Sequence, residues 1–118
     1  MARVLVVDDD AMIRDYIDMA LEQVGHEVVQ AAHGGEALTV LEGLTPDLIL
    51  LDMRMPTMDG WEFATRYRAK PGRKAPIVVM TAAADAAVRA AQVMADAFLA
   101  KPFSLVALCD CIASNTAS

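Results

Sequence analysis

At 118 residues the chain has the length of one domain with one substantial core, and 56% of its residues are hydrophobic. Sixteen acidic residues against ten basic ones give a net charge of −6, which opposes non-specific binding to DNA, RNA or anionic membrane surfaces and suits a cation or a basic partner. No segment could span a bilayer and the N-terminal apolar run is too short for a secretory signal, so the chain is expected in the cytoplasm.

Residues 4–7 form an apolar run ending in Asp8, Asp9 and Asp10, and predict a buried first strand. From Ala11 the period changes. Met12, Ile13, Tyr16, Ile17, Ala20, Leu21 and Val24 recur at helical spacing, with Asp10 placed to cap the helix and Gly25 to end it. Residues 26–32, with Val28 and Val29, predict a second strand. His33, Gly34 and Gly35 read as a loop, and Ala37, Leu38, Val40 and Leu41 mark a second helix ending near Gly43.

Residues 47–51, bounded in front by Pro46, predict a buried third strand that stops on Asp52. Pro56 and the pair Asp59 and Gly60 then signal a turn before a helix at 59–68. After a loop at 69–76, residues 77–80 predict a fourth strand ending at Thr81. The Ala-rich stretch 82–95 is helical by propensity. Residues 97–100 predict a short fifth strand ending at Lys101 and Pro102. Ser104 is placed to cap a last helix at 105–113, and 114–118 read as a frayed tail.

Five β-α repeats imply a parallel sheet covered by helices on both faces. Right-handed crossovers restrict it to a doubly wound, flavodoxin-like α/β sheet, expected in the order 2-1-3-4-5 within a single domain over 1–118. Strand 1 then ends in Asp8 and Asp9, strand 3 in Asp52, strand 4 in Thr81 and strand 5 in Lys101. Ligands of open α/β sheets bind at that edge, near the reversal of strand order. Three carboxylates, a hydroxyl and an ammonium are therefore expected in one crevice.

At an effective dielectric of about 20, two carboxylates about 4 Å apart repel by about 4 kcal/mol. One lysine cannot offset three acids, and hard oxygen ligands with room for water fit Mg2+. A metal, a lysine and a hydroxyl also suit a phosphoryl group, with Asp52 as a carboxylate nucleophile.

Four blocks then carry a resemblance: LVVDDD at 5–10, LLDMRMPTMDG at 50–60, VMTA at 79–82 and KPF at 101–103, with HGGEAL at 33–38 a weaker fifth. The chain resembles a response-regulator receiver domain, in particular the single-domain chemotaxis-type receivers of two-component signalling. The resemblance implies that Asp52 is the phosphoacceptor. It implies that Asp8, Asp9 and Asp52 hold Mg2+, with Asp9 the more direct ligand of the pair and the backbone carbonyl of Arg54 a further one. Thr81 matches the switching hydroxyl and Lys101 the phosphate-binding ammonium, followed by a cis Lys101–Pro102 bond. Phe98 stands at the aromatic switch position, where many relatives carry Tyr; it reads equally as ordinary core. Arg54 and Ala83 match positions that tune phosphoryl lifetime.

The implied partners are a sensor histidine kinase or phosphotransfer protein, and a downstream protein effector on the face made by helix 4, strand 5 and helix 5. Neither direct nucleic-acid nor membrane contact is expected. Helix 5, LVALCDCIA, carries one charge, Asp110, and helix 4 is Ala-rich with Arg89 and Gln92 its clearest polar residues. That face either takes an apolar partner or a second copy of the chain, or exposes little area because Ala and Cys are small.

Weaker signals read blandly. Cys109 and Cys111 lie two apart, do not face each other on a helix, and predict neither a disulfide nor a zinc site. Five basic residues between Arg66 and Lys74 read as a solvated loop, His26 and His33 as surface residues, and the methionines mostly as core filler. A haloacid-dehalogenase-type phosphatase also uses an Asp nucleophile, Mg2+ and a lysine. Asp8, Asp9 and Asp10 match its Asp-x-Asp formally, but Ala11 and Met12 do not continue that motif. A pseudo-receiver, a binding module without phosphorylation, would lack site acids that this chain retains. The output is open: the protein works alone through protein contacts, or these residues are part of a longer chain.

Overall fold

The computed structural model describes residues 2–53, 58–82, 86–92 and 94–116, with residues 86, 87 and 89 described by backbone alone. Arg54, Pro56, Ala83 and the last two residues of the expected tail lie outside the described residues. Strands β1 (Arg3–Val7), β2 (Glu27–Ala31), β3 (Leu48–Asp52), β4 (Ile77–Ala82) and β5 (Ala97–Lys101) alternate with helices α1 (Ala11–Gln23), α2 (Gly34–Gly43), α3 (Gly60–Ala69), α4 (Ala86–Gln92) and α5 (Leu105–Asn115). All the pairings are parallel, in the order β2-β1-β3-β4-β5, so the expected doubly wound sheet is present.

The two-residue period of the strands sorts the core into two layers. Val4, Val6, Leu48, Leu50, Val78 and Met80 pack with Ile17 and Leu21 of α1 and Leu108 and Ile112 of α5. Their neighbours Leu5, Val7, Ile49, Leu51, Ile77 and Val79 pack on the opposite face with Ala37 of α2, Phe63 and Tyr67 of α3 and Ala90 of α4. β3, central and covered on both faces, is buried along its whole length. Each Leu or Ile buried there contributes about 1.5–3 kcal/mol.

Helix ends follow local chemistry. Asp10 caps α1 by accepting from the Met12 N–H at 2.9 Å. At the other end Gly25, at φ +92°, lets its N–H reach the Glu22 carbonyl and the His26 N–H reach that of Leu21. Ser104 caps α5 from Ala107 N–H at 3.1 Å.

Three expected boundaries move. His33, read as loop, is the cap of α2: its Nδ1 accepts from the Glu36 N–H at 3.1 Å, while Glu36 accepts from the Ala32 N–H at 2.6 Å. Gly34 and Gly35 thus open the helix. The helix expected at 82–95 is shorter, because Ala82 pairs with Lys101 as the last rung of the β4–β5 ladder. Its far end closes on Met94, which takes the left-handed φ of +53° so that its own N–H reaches Ala91 and that of Ala95 reaches Ala90. The tail expected from 114 is helical to Asn115, whose side-chain amide bonds to the Cys111 carbonyl at 2.7 Å, and Thr116 closes the helix by bonding to Ile112.

The methionines divide. Met53 and Met80 are buried, whereas Met12, Met19 and Met94 are exposed, so filler describes only some of them. Met12 and Tyr16, counted with the apolar period of α1, face solvent. The basic stretch is tied down locally: Arg66 pairs with Glu62 at 2.7 Å, Arg68 donates to the Met94 carbonyl at 2.8 Å, and Lys74 donates to the Lys70 and Gly72 carbonyls above the Tyr67 ring. Both cysteines are free thiols, and burial pushes the Cys111 pKa up against the opposing hydrogen bond from Asn115. Among the described residues no helix is long and apolar enough to cross a membrane.

Candidate functional site

β1 and β3 diverge at the reversal of strand order, and their carboxyl ends deliver the acids. Asp8 and Asp52 are buried and Asp9 is exposed. One carboxylate oxygen from each of the three lies within 4.8 Å of the others. Thr81, also buried, lies one residue beyond Met80, the β4 partner of Asp52. Lys101 ends β5, and its Nζ stands 3.0 Å from Asp8 Oδ2 and 3.5 Å from Asp52 Oδ1. Asp8, Asp9, Asp52 and Lys101 are therefore brought together, and Thr81 stands at the same sheet edge.

The electrostatics are those of a pocket short of positive charge. Burial pulls the Lys101 pKa down, but the hydrogen bond to Asp8 and the charges of Asp52 and Asp8 outweigh it, so the ammonium is held above its ordinary 10.5. Among the described residues one ammonium faces three carboxylates, a balance that a divalent cation with oxygen ligands would correct. The donor set is all hard oxygen, which fits Mg2+.

Asp8 is occupied on every side. Its N–H donates to the Ala31 carbonyl at 3.1 Å, Oδ1 accepts from the Asp10 N–H at 2.9 Å, Oδ2 accepts from Lys101, and its carbonyl accepts from Arg14 at 2.8 Å. Asp9, next along the chain, is exposed at the mouth of the same acidic cluster. Residue-by-residue reading of the sequence missed Arg14, whose only signal was a basic residue one helical turn after the acidic triplet.

Phe98 lies on β5 opposite Val79 and is 48% exposed, which sets aside the reading of it as ordinary core. Lys101–Pro102 is a cis peptide bond, as the resemblance implied. Beside Lys101, a groove of about 530 Å³ opens between Met12, Ile13 and Tyr16 of α1 and the Pro102–Phe103 segment. Arg54 and Ala83 fall outside the described residues.

The turn from β3 into α3 needs a glycine. A Cβ on Gly60 would come within 2.9 Å of Met53 Cα and 2.5 Å of its sulfur. Gly60 N–H donates to the Met53 carbonyl at 3.2 Å, and Asp59 caps α3 by accepting from the Glu62 N–H at 2.9 Å. Gly60, at the start of α3, is thereby held tightly against Met53, the residue after Asp52.

The family model described as response regulator receiver domain matches residues 4–113. Among curated proteins, the chain is 42% identical over 106 residues to the transcriptional regulatory protein PdtaR of Mycobacterium tuberculosis, covering 87% of this chain and 51% of that one. It is 39% identical over 104 residues to the probable transcriptional regulator ycf27 of Cyanophora paradoxa, covering 86% of this chain and 43% of that one. The chain thus spans about half the length of these curated relatives. Among solved structures, the chemotaxis response regulator CheY4 of Vibrio cholerae superposes with a TM-score of 0.88 at 33% identity, covering 97% of this chain and 98% of that one.

Proposed function

This chain belongs to the response regulator receiver domain family, a signalling module of two-component systems, and from that premise we propose that it is a phosphorylation-dependent switch whose phosphoacceptor is Asp52. The observation that carries the reading is the meeting of Asp8, Asp9 and Asp52 within 4.8 Å, with Lys101 reaching two of them. Families of this kind signal through a conformational state; the chemistry is done by the protein on itself.

In the proposed reaction a carboxylate oxygen of Asp52 attacks phosphorus in line with the donor bond. The phosphorus–oxygen bond to Asp52 forms, the bond to the phosphohistidine nitrogen breaks, and the leaving imidazole keeps the electron pair. Lys101 holds one equatorial phosphoryl oxygen by a charge-assisted hydrogen bond, which strengthens as charge builds there. Thr81 donates its hydroxyl to another. Asp8, Asp9, Asp52 and the Arg54 carbonyl would hold Mg2+, which when bound supplies positive charge to the phosphoryl oxygens and relieves the acids of their repulsion. Arg54 and Ala83 tune how fast water reaches the product.

The switch follows from charge. A phosphoryl group on Asp52 draws Thr81 and Lys101 toward it and changes the packing of Phe98 on β5. The face of α4, β5 and α5 then changes for its reader. Val88, Phe98 and Val106 are large apolar side chains exposed on those three elements, which favours an apolar protein partner, an effector or a second copy of the chain, over nucleic acid or a membrane. The donor would be a sensor histidine kinase or phosphotransfer protein of the cytoplasm.

The test is intact mass after incubation with acetyl phosphate and Mg2+. The wild type gains one phosphoryl group and Asp52→Asn does not. No gain in the wild type rejects the reading.

A further inference from the structure

Behind the acidic pocket lies a polar relay that the phosphoryl chemistry does not touch directly. Arg14, the fourth residue of α1, donates from Nη1 to the Asp8 carbonyl at 2.8 Å and from Nε to Gln30 Oε1 at 3.0 Å. Gln30 stands on β2 opposite Val6, and its amide donates to Asp18 Oδ2 at 2.8 Å and to Asp15 Oδ1 at 3.3 Å. The relay therefore runs from the loop that carries Asp8 and Asp9, through Arg14, to the edge strand and back to α1.

We propose that Arg14 is a positioning residue for the cation pocket: by gripping the Asp8 carbonyl it fixes the peptide from which the Asp9 side chain departs. The physical link is the planarity of that peptide. The Asp8 carbonyl and the Asp9 Cα share one plane, so holding the oxygen holds the base of the Asp9 carboxylate. The other three polar groups of Asp8 are fixed by Ala31, Asp10 and Lys101, and the carbonyl is the group that points toward Asp9. An arginine suits this task because its planar fork serves two acceptors at fixed angles, one in the loop and one on β2. Gln30, itself held by two acids, stops the fork from turning away. The inference rests on the reading of Asp8, Asp9 and Asp52 as a cation site.

Charge and position act with opposite signs here, which makes the proposal testable. The guanidinium charge repels a bound cation, so removing it by charge alone would tighten Mg2+ binding. Loss of positioning would weaken it.

The experiment titrates MgCl2 into the full 118-residue chain, following the Asp9 and Asp10 amide resonances and the cation-induced rise in melting temperature. Arg14→Met is expected to weaken Mg2+ binding by about tenfold, the lower end for residues that support metal ligands. Gln30→Met, which changes no charge, weakens it in the same direction by less. Arg14→Lys, which keeps the repelling charge but not the fork, also binds Mg2+ more weakly than the wild type. Mg2+ binding by Arg14→Met as tight as the wild type, or tighter, overturns the proposal. If that variant does not fold, unchanged binding by Gln30→Met overturns it instead. A wild type whose amides and melting temperature ignore Mg2+ rejects the cation site itself, an outcome distinct from failure of Arg14 alone.

Discussion

On one side of β3, the loop after β1 is held by hydrogen bonds from β2, α1 and β5, and α1 runs thirteen residues with Ile17 and Leu21 fully buried beneath it. On the other side, β5 has Leu99 as its one buried residue, and α4 is seven residues long. The acids thus sit on a framework fixed from several directions, while Lys101 and Phe98 sit on an edge strand with little buried area. Segments with few buried apolar contacts open and shift at the smallest free-energy cost. The division would suit the proposed switch, with the acids on the more firmly held side and Phe98 and Lys101 on the less buried one.

The largest effect should come from the rigid side. Ile17→Ala is expected to cost about 2–5 kcal/mol, whereas Phe98→Ala, which truncates a ring already half in solvent, should cost less than about 1 kcal/mol. Urea denaturation of the two variants measures both. Equal costs would break the contrast between the flanks.

Next come the ends of the two flanking helices. Gly25 and Met94 close α1 and α4 in the same left-handed conformation, one with a glycine and one without. Nothing lies within 4 Å of a Cβ on Gly25, so Gly25→Ala exposes the bare backbone cost, about 1–2 kcal/mol. Met94 is exposed, and Met94→Gly should raise stability by about 0.5–1 kcal/mol. Opposite shifts in denaturation midpoint sharpen the comparison; destabilisation by Met94→Gly would mean that its side chain holds α4.

The smallest effect is the alkaline one. Lys101 has its folded pKa raised, so its contribution is fully present below the unfolded value of about 10.4 and is lost as pH rises through the folded value. The stability difference between wild type and Lys101→Met should be flat from about pH 7 to about 10 and should shrink above that. A difference that instead changes between neutral pH and about 9 would assign Lys101 no raised pKa.

Strand order and site acids were legible because both rest on strong local signals. The apolar runs before Asp8, Asp52, Thr81 and Lys101 are short, bounded and buried, and a parallel sheet must bring their ends to one edge. Gly25 announced its helix end because glycine is the residue that takes positive φ freely. Met94 could not announce its own, since methionine carries no such preference and the closing bonds depend on tertiary packing. His33 hid the start of α2 because an imidazole acceptor is an uncommon cap, and two glycines after it looked like loop. Arg14 was invisible as a site residue for a different reason: its partner is a backbone carbonyl, which every residue has.

Three carboxylates lie within 4.8 Å of one another, and the proposed function assigns the phosphoryl group to Asp52 among them. Borohydride reduction of the chain after treatment with acetyl phosphate and Mg2+ converts an aspartyl phosphate to homoserine, and tandem mass spectrometry of the peptides then locates it. Homoserine is expected at position 52 alone. Homoserine at position 8 or 9, or none at any position, would contradict it.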